Sequence, residues 1–143
     1  MGPIQILLAD DREDILDGVS AILDDEFEIV GRARDGVELL AASRELSPDV
    51  VVTDISMPKM DGLDAARELT RSANGPAIVL LTVHDDPEIV EKALAIGACG
   101  YVLKSRAATD LSEAVRRAAA GATFVSPNLI LPPGEQPPSE PRT

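Results

Sequence analysis

Short apolar runs alternate along the chain with stretches in which apolar residues recur every three or four positions. The runs are Ile4–Ala9, Phe27–Ala33, Val50–Thr53, Ala77–Leu81 and Gly100–Leu103. Runs this short and rich in β-branched residues predict strands. Those starting at Ile4, Val50 and Ala77 are nearly continuous, which predicts strands buried on both faces of a parallel sheet. Ile15, Val19, Ile22 and Leu23 share one helical face, and Leu111, Ala114, Val115, Ala118 and Ala119 form a second apolar stripe. Asp86-Pro87-Glu88 reads as cap, first helical position and acidic first turn of a helix running to about Gly97. Thr109 is the expected cap of the last helix, and Gly121 its expected end. Weaker helical periods cover 37–46 and 63–72.

The pattern gives five strands alternating with five helices, the signature of βα units with right-handed crossovers. Five units are too few for an eight-stranded barrel. The expected fold is therefore α/β, an open doubly wound five-stranded parallel sheet of order 2-1-3-4-5, flavodoxin-like. Ligands of such sheets bind beyond the carboxyl ends of the strands, where strands 1 and 3 diverge. Residues 1–125 form the expected domain. Residues 126–143 are expected to be a linker or disordered tail, because six of the last 17 residues are proline.

Composition narrows the function. Of the 143 residues, 25 are acidic and 13 basic, a net charge of -12. The basic residues are scattered, so no direct binding of nucleic acid by this chain is expected. Only Phe27, Tyr101 and Phe124 are aromatic, which leaves an aliphatic core. A single cysteine, Cys99, excludes an internal disulfide and a cysteine zinc site, and it reads as a small core residue rather than a sensor. No apolar stretch spans a membrane and no secretory signal opens the chain, so a cytoplasmic location is expected.

Polar residues close the apolar strands: Asp10 and Asp11 after strand 1, Asp54 after strand 3, Thr82 at strand 4, Lys104 after strand 5. In a parallel sheet these termini share one edge. Three clustered carboxylates repel, and a hard divalent cation relieves the repulsion; oxygen ligands of this kind suit Mg²⁺. Lys104 and Thr82 can then hold an anion, and a phosphoryl group fits metal, ammonium and hydroxyl together. A carboxylate can accept such a group as an acyl phosphate. Taken singly, each of these residues has an ordinary reading as a cap or loop residue; the joint pattern is what points to chemistry.

The segments Leu7-Leu8-Ala9-Asp10-Asp11, Asp54-Ile55-Ser56-Met57-Pro58-Lys59-Met60-Asp61-Gly62, Leu80-Leu81-Thr82 and Gly100-Tyr101-Val102-Leu103-Lys104 resemble a bacterial response-regulator receiver domain. The resemblance covers residues 3 to 125. It implies that Asp54 is the phospho-acceptor and that Asp11 ligates Mg²⁺ directly. Asp10 would act mainly through water, and the Ser56 carbonyl would be another ligand. It implies that Thr82 and Lys104 bind the phosphoryl group and that Tyr101 is a switch residue. The implied partner is a histidine kinase or histidine phosphotransfer protein, and the implied state a monomer or weak, phosphorylation-dependent dimer. Gly31-Arg32-Ala33, Gly97-Ala98-Cys99-Gly100 and Ala119-Ala120-Gly121 with Ser126-Pro127 resemble receivers joined to a LuxR-type helix-turn-helix domain. No such domain follows in this sequence, which suits either an excised receiver or a stand-alone regulator.

One departure is Ser105, where many receivers carry proline after the lysine, at a cis peptide. Two readings stand for His84: a modulator of acyl-phosphate hydrolysis, or an exposed loop residue. Tyr101 has the alternative of a half-buried strand aromatic with a wet hydroxyl. Two other functions compete. A haloacid-dehalogenase-type phosphohydrolase would need an acid two residues after the nucleophile, where Ser56 stands. An FMN carrier would need a neutral phosphate loop where Asp10-Asp11 would repel the ligand.

Overall fold

The apolar runs pair as parallel strands in a computed structural model that describes residues 2–72, 74–83 and 86–126. Strands β1 (Gln5–Ala9), β2 (Glu28–Ala33), β3 (Val50–Thr53), β4 (Ala77–Thr82) and β5 (Gly100–Leu103) alternate with five helices. These are α1 (Glu13–Leu23), α2 (Gly36–Leu46), α3 (Gly62–Thr70), α4 (Pro87–Ala95) and α5 (Ala107–Ala119). The sheet order is β2-β1-β3-β4-β5 with a further strand, β6 (Phe124–Val125), on the β5 edge. Every described residue of β3 and β5 is buried, as are all but the first of β1 and β4.

Two apolar layers sandwich the sheet. On one side Ile6, Leu8, Val50, Val52, Val79, Leu81 and Val102 meet α1 through Leu16, Val19 and Leu23, and α5 through Leu111, Ala114, Val115 and Ala118. On the other, Leu7, Ala9, Val51, Ile78, Leu80, Tyr101 and Leu103 pack against Leu39 of α2, Ala65, Ala66 and Leu69 of α3, and Val90 and Ala93 of α4. The strict alternation between layers is the two-residue period of a strand.

Three expectations need correction. The sheet has six strands, not five. Phe124 and Val125 pair in parallel with Gly100 and Tyr101, and so cover an edge that β5 would otherwise leave open. A two-residue strand is too short to register as a pattern. Second, Thr109 does not cap α5. A 3₁₀ turn over Lys104–Arg106 runs directly into the helix, with the Ala107 amide donating to the Lys104 carbonyl, so Thr109 is already inside it. Third, Ser126 is not outside the folded part: it is buried, and its amide donates to the Tyr101 carbonyl at 3.0 Å. The expected tail from 127 lies outside the described residues.

Asp86 caps α4 as expected, its carboxylate accepting the Glu88 amide at 2.9 Å, with Pro87 opening the helix. All described peptide bonds are trans, that before Ser105 included. Among the described residues no helix is long and apolar enough to cross a membrane.

Candidate functional site

Register brings the polar strand ends level. Ala9 pairs with Thr53, so Asp10 and Asp54 follow side by side; the Asp54 amide donates to the Ala9 carbonyl at 2.9 Å. Thr82 pairs with Leu103, and Lys104 comes next. Asp10, Asp54 and Lys104 continue the alternation of Leu8, Val52 and Val102, the layer covered by α1 and α5. Thr82 continues that of Ile78 and Leu80, the layer that contains Tyr101. The acid–base pocket and the Thr82–Tyr101 pair thus lie on opposite phases of the same sheet edge.

Asp10, Asp11 and Asp54 each offer a carboxylate oxygen, and these lie within 4.8 Å of one another. Asp10 and Asp54 are buried and Asp11 is exposed, so the group opens to solvent on the Asp11 side. Lys104 reaches in with its Nζ 2.9 Å from Asp10 Oδ2 and 3.3 Å from Asp54 Oδ2. Asp10 also accepts the Arg12 amide at 3.0 Å, and Asp54 the Ser56 amide at 3.4 Å. Burial pushes the Asp54 carboxyl above its ordinary value; Lys104 opposes this and the Asp10 charge adds to it. Burial works to lower the Lys104 pKa, but its hydrogen bond to Asp10 and the two carboxylate charges outweigh it, and the ammonium is held above its usual value.

A cluster of three oxygen donors around one half-open space suits a hard divalent cation, whose remaining positions would be filled by water. The donor set fits Mg²⁺ on chemistry and on spacing. Ser56 borders this group through its amide, which donates to Asp54 Oδ1.

The loop beneath Asp54 is shaped by backbone contacts. The Gly62 amide donates to the Ile55 carbonyl at 2.7 Å, and the Gly36 amide to the Met60 carbonyl at 3.0 Å. A Cβ on Gly62 would run into the Asp54 carbonyl oxygen, and one on Gly36 into the Met60 carbonyl, so both contacts require glycine. Lys59 adopts φ 68°, and its ammonium lies 3.5 Å from the buried carboxylate of Asp35, which caps α2 through the Glu38 amide.

Thr82 and Tyr101 are both fully buried. The half-buried reading of Tyr101 is therefore corrected: β6 pairs along the edge of β5 at that point, with Val125 beside Tyr101. Cys99 is partly buried and packs against the α1–α5 layer, as a small core residue. His84 lies outside the described residues. Sequence reasoning missed one polar group, formed by Arg106, Asp110 and Ser126 beside β5. The Arg106–Asp110 spacing of four was its only local signal.

Known proteins agree with this picture. The chain is 37% identical over 128 residues to the transcriptional regulatory protein DegU of Brevibacillus brevis, covering 88% of this chain and 54% of that protein. It is 37% identical over 120 residues to the transcriptional regulatory protein LiaR of Bacillus subtilis strain 168, covering 82% and 57%. The chain thus spans little more than half the length of these curated relatives. A crystal structure of a LuxR-family two-component response regulator from Aurantimonas sp. SI85-9A1 superposes with a TM-score of 0.84 at 29% identity, covering 90% of this chain and 93% of that one. The family model of the response regulator receiver domain matches residues 6–116, which include the whole acidic pocket and its lysine, and the chain belongs to that family.

Proposed function

We propose that this receiver domain takes a phosphoryl group from the phosphohistidine of a sensor kinase or phosphotransfer protein onto Asp54 and thereby changes its output surface. The observation that carries the reading is the placement of Asp54. It is a buried carboxylate with two further acids within 4.8 Å and an ammonium at 3.3 Å. An Asp54 oxygen forms the bond to phosphorus as the bond from phosphorus to the imidazole nitrogen breaks, and the electron pair stays on that nitrogen. Lys104 pairs with the phosphoryl oxygens, and the Thr82 hydroxyl donates to one of them. Asp10, Asp11, Asp54 and the Ser56 carbonyl would hold Mg²⁺, which when bound offsets the charge of acceptor and phosphoryl group.

The domain's own chemistry is then self-phosphorylation and slow loss of the group to water. His84 is assigned to modulation of that loss, and Tyr101 to the switch. The location is cytoplasmic, the state a monomer or weak phosphorylation-dependent dimer, and this chain makes no direct contact with nucleic acid.

Incubation with acetyl phosphate and Mg²⁺ tests the assignment. One labile phosphoryl group per wild-type chain and none on Asp54→Asn are expected. Uptake by Asp54→Asn would overturn the choice of acceptor, and turnover of phosphate monoesters would instead indicate a hydrolase.

A further inference from the structure

Asp110 is 5% exposed and Ser126 1%. Asp110 sits on the first turn of α5, where its neighbours Ala107 and Leu111 are core residues. A buried carboxylate is costly unless matched, and this one is matched on both oxygens. Arg106 Nε donates to Oδ2 at 2.7 Å and its Nη2 to Oδ1 at 3.2 Å. The Ser126 hydroxyl donates to Oδ2 at 2.9 Å and accepts the Leu103 amide at 3.2 Å.

The connectivity has a consequence for Lys104. Leu103 is the residue before it, and Arg106 closes the 3₁₀ turn that it opens. Asp110 therefore grips both ends of that turn, one through Arg106 and the other through Ser126. Ser126 is also joined to β5 by its amide and stands directly after β6. We propose that Asp110 and Ser126 are positioning residues for Lys104, forming a buried latch that couples occupancy of the Asp54 pocket to the seating of β6. The proposal rests on the reading of Lys104 as the phosphoryl-binding cation. A ligand that draws Lys104 into one position favours the closed latch, and an open latch lets the turn wander. By linkage the two effects are equal in size.

The test uses the whole chain, beryllofluoride with Mg²⁺ as probe, and amide exchange by NMR. Ser126→Ala is expected to bind beryllofluoride at least about fivefold more weakly, the lower range of coupling between sites, and Ser126→Thr, which keeps the hydroxyl, to recover most of it. In the wild type, beryllofluoride is expected to slow exchange of the Leu103 amide by a similar factor, a measurement that needs no variant to fold. Unchanged affinity in folded Ser126→Ala overturns the proposal, as does equal Leu103 exchange with and without the probe. Absence of beryllofluoride binding by the wild type would remove the reading of the Asp54 pocket itself, and the latch with it.

Discussion

Lys104 leans on Asp10 more closely than on Asp54, at 2.9 Å against 3.3 Å. One ammonium thus serves two buried carboxylates. Its folded-state pKa is raised, so the stability it contributes is fully present below its ordinary value of 10.5 and is lost as pH rises through the folded-state value. Lys104→Met is expected to cost about 3 kcal/mol in metal-free buffer at pH 7, the low end for stripping buried charge of its partner. Urea unfolding measures it. Added Mg²⁺ should recover more stability in the variant than in the wild type.

The Asp54 carboxyl has the opposite sense. Burial, then the Asp10 charge, raise its pKa above 3.8 against the pull of Lys104. The folded state therefore keeps a proton that the unfolded chain has released, and stability falls as pH rises from the unfolded value through the folded one. Asp54→Asn removes that loss. In metal-free buffer it is expected to be more stable than wild type at pH 7, with the gain fading as pH falls toward 4. Urea midpoints at the two pH values check this; an equal difference at both would contradict it.

The legible part of this fold was its period. Continuous runs at Ile4, Val50 and Ala77 announced buried parallel strands, and level pairing of Ala9 with Thr53 then forced Asp10 and Asp54 together. The clustering of Asp10, Asp54 and Lys104 was legible because each directly follows a strand. What the pattern could not carry depends on distant contacts. Asp110 reads as a polar residue near a helix start until Ser126, sixteen positions on, arrives beside β5. Phe124 and Val125 become a strand only because β5 offers an edge. Helix α5 begins before Thr109 because the turn at Lys104 supplies the carbonyl that a cap would replace.

Gly62 is the tightest point of the Asp54 loop. An added methyl would meet the Asp54 carbonyl oxygen, which is backbone and cannot turn away. Gly62→Ala is expected to cost about 3 kcal/mol by overpacking, and to slow uptake from acetyl phosphate because the displaced backbone belongs to Asp54. Gly18 is the control. It lies on the exposed face of α1 with nothing within 4 Å of a new Cβ. Gly18→Ala should therefore stabilise by about 0.5–1 kcal/mol through helix propensity, with unchanged phosphorylation.

Thr82 and Tyr101 lie on adjacent strands, with Thr82 level with Leu103 and Tyr101 level with Leu80. Both are fully buried, so neither can move without its neighbour giving way. On the proposed reading, a phosphoryl group on Asp54 would offer the Thr82 hydroxyl a charge-assisted hydrogen bond, and a shift of Thr82 toward it would alter the space beside the ring. Val125 of the neighbouring strand β6 pairs with Tyr101, whose ring shares a core layer with Val90 and Ala93 of α4, so on the proposed reading two arrangements of this pair would give two versions of the α4–β5–α5 face. A partner would then be recruited or released by no more than its difference in affinity for the two. Thr82→Ala is expected to accept the phosphoryl group at Asp54 but to lose most of the response beyond the pocket. NMR shifts with and without beryllofluoride make the comparison. Wild type should show changes through α4, β5 and α5, and Thr82→Ala chiefly near Asp54. Equal responses in those elements would exclude Thr82 as the link.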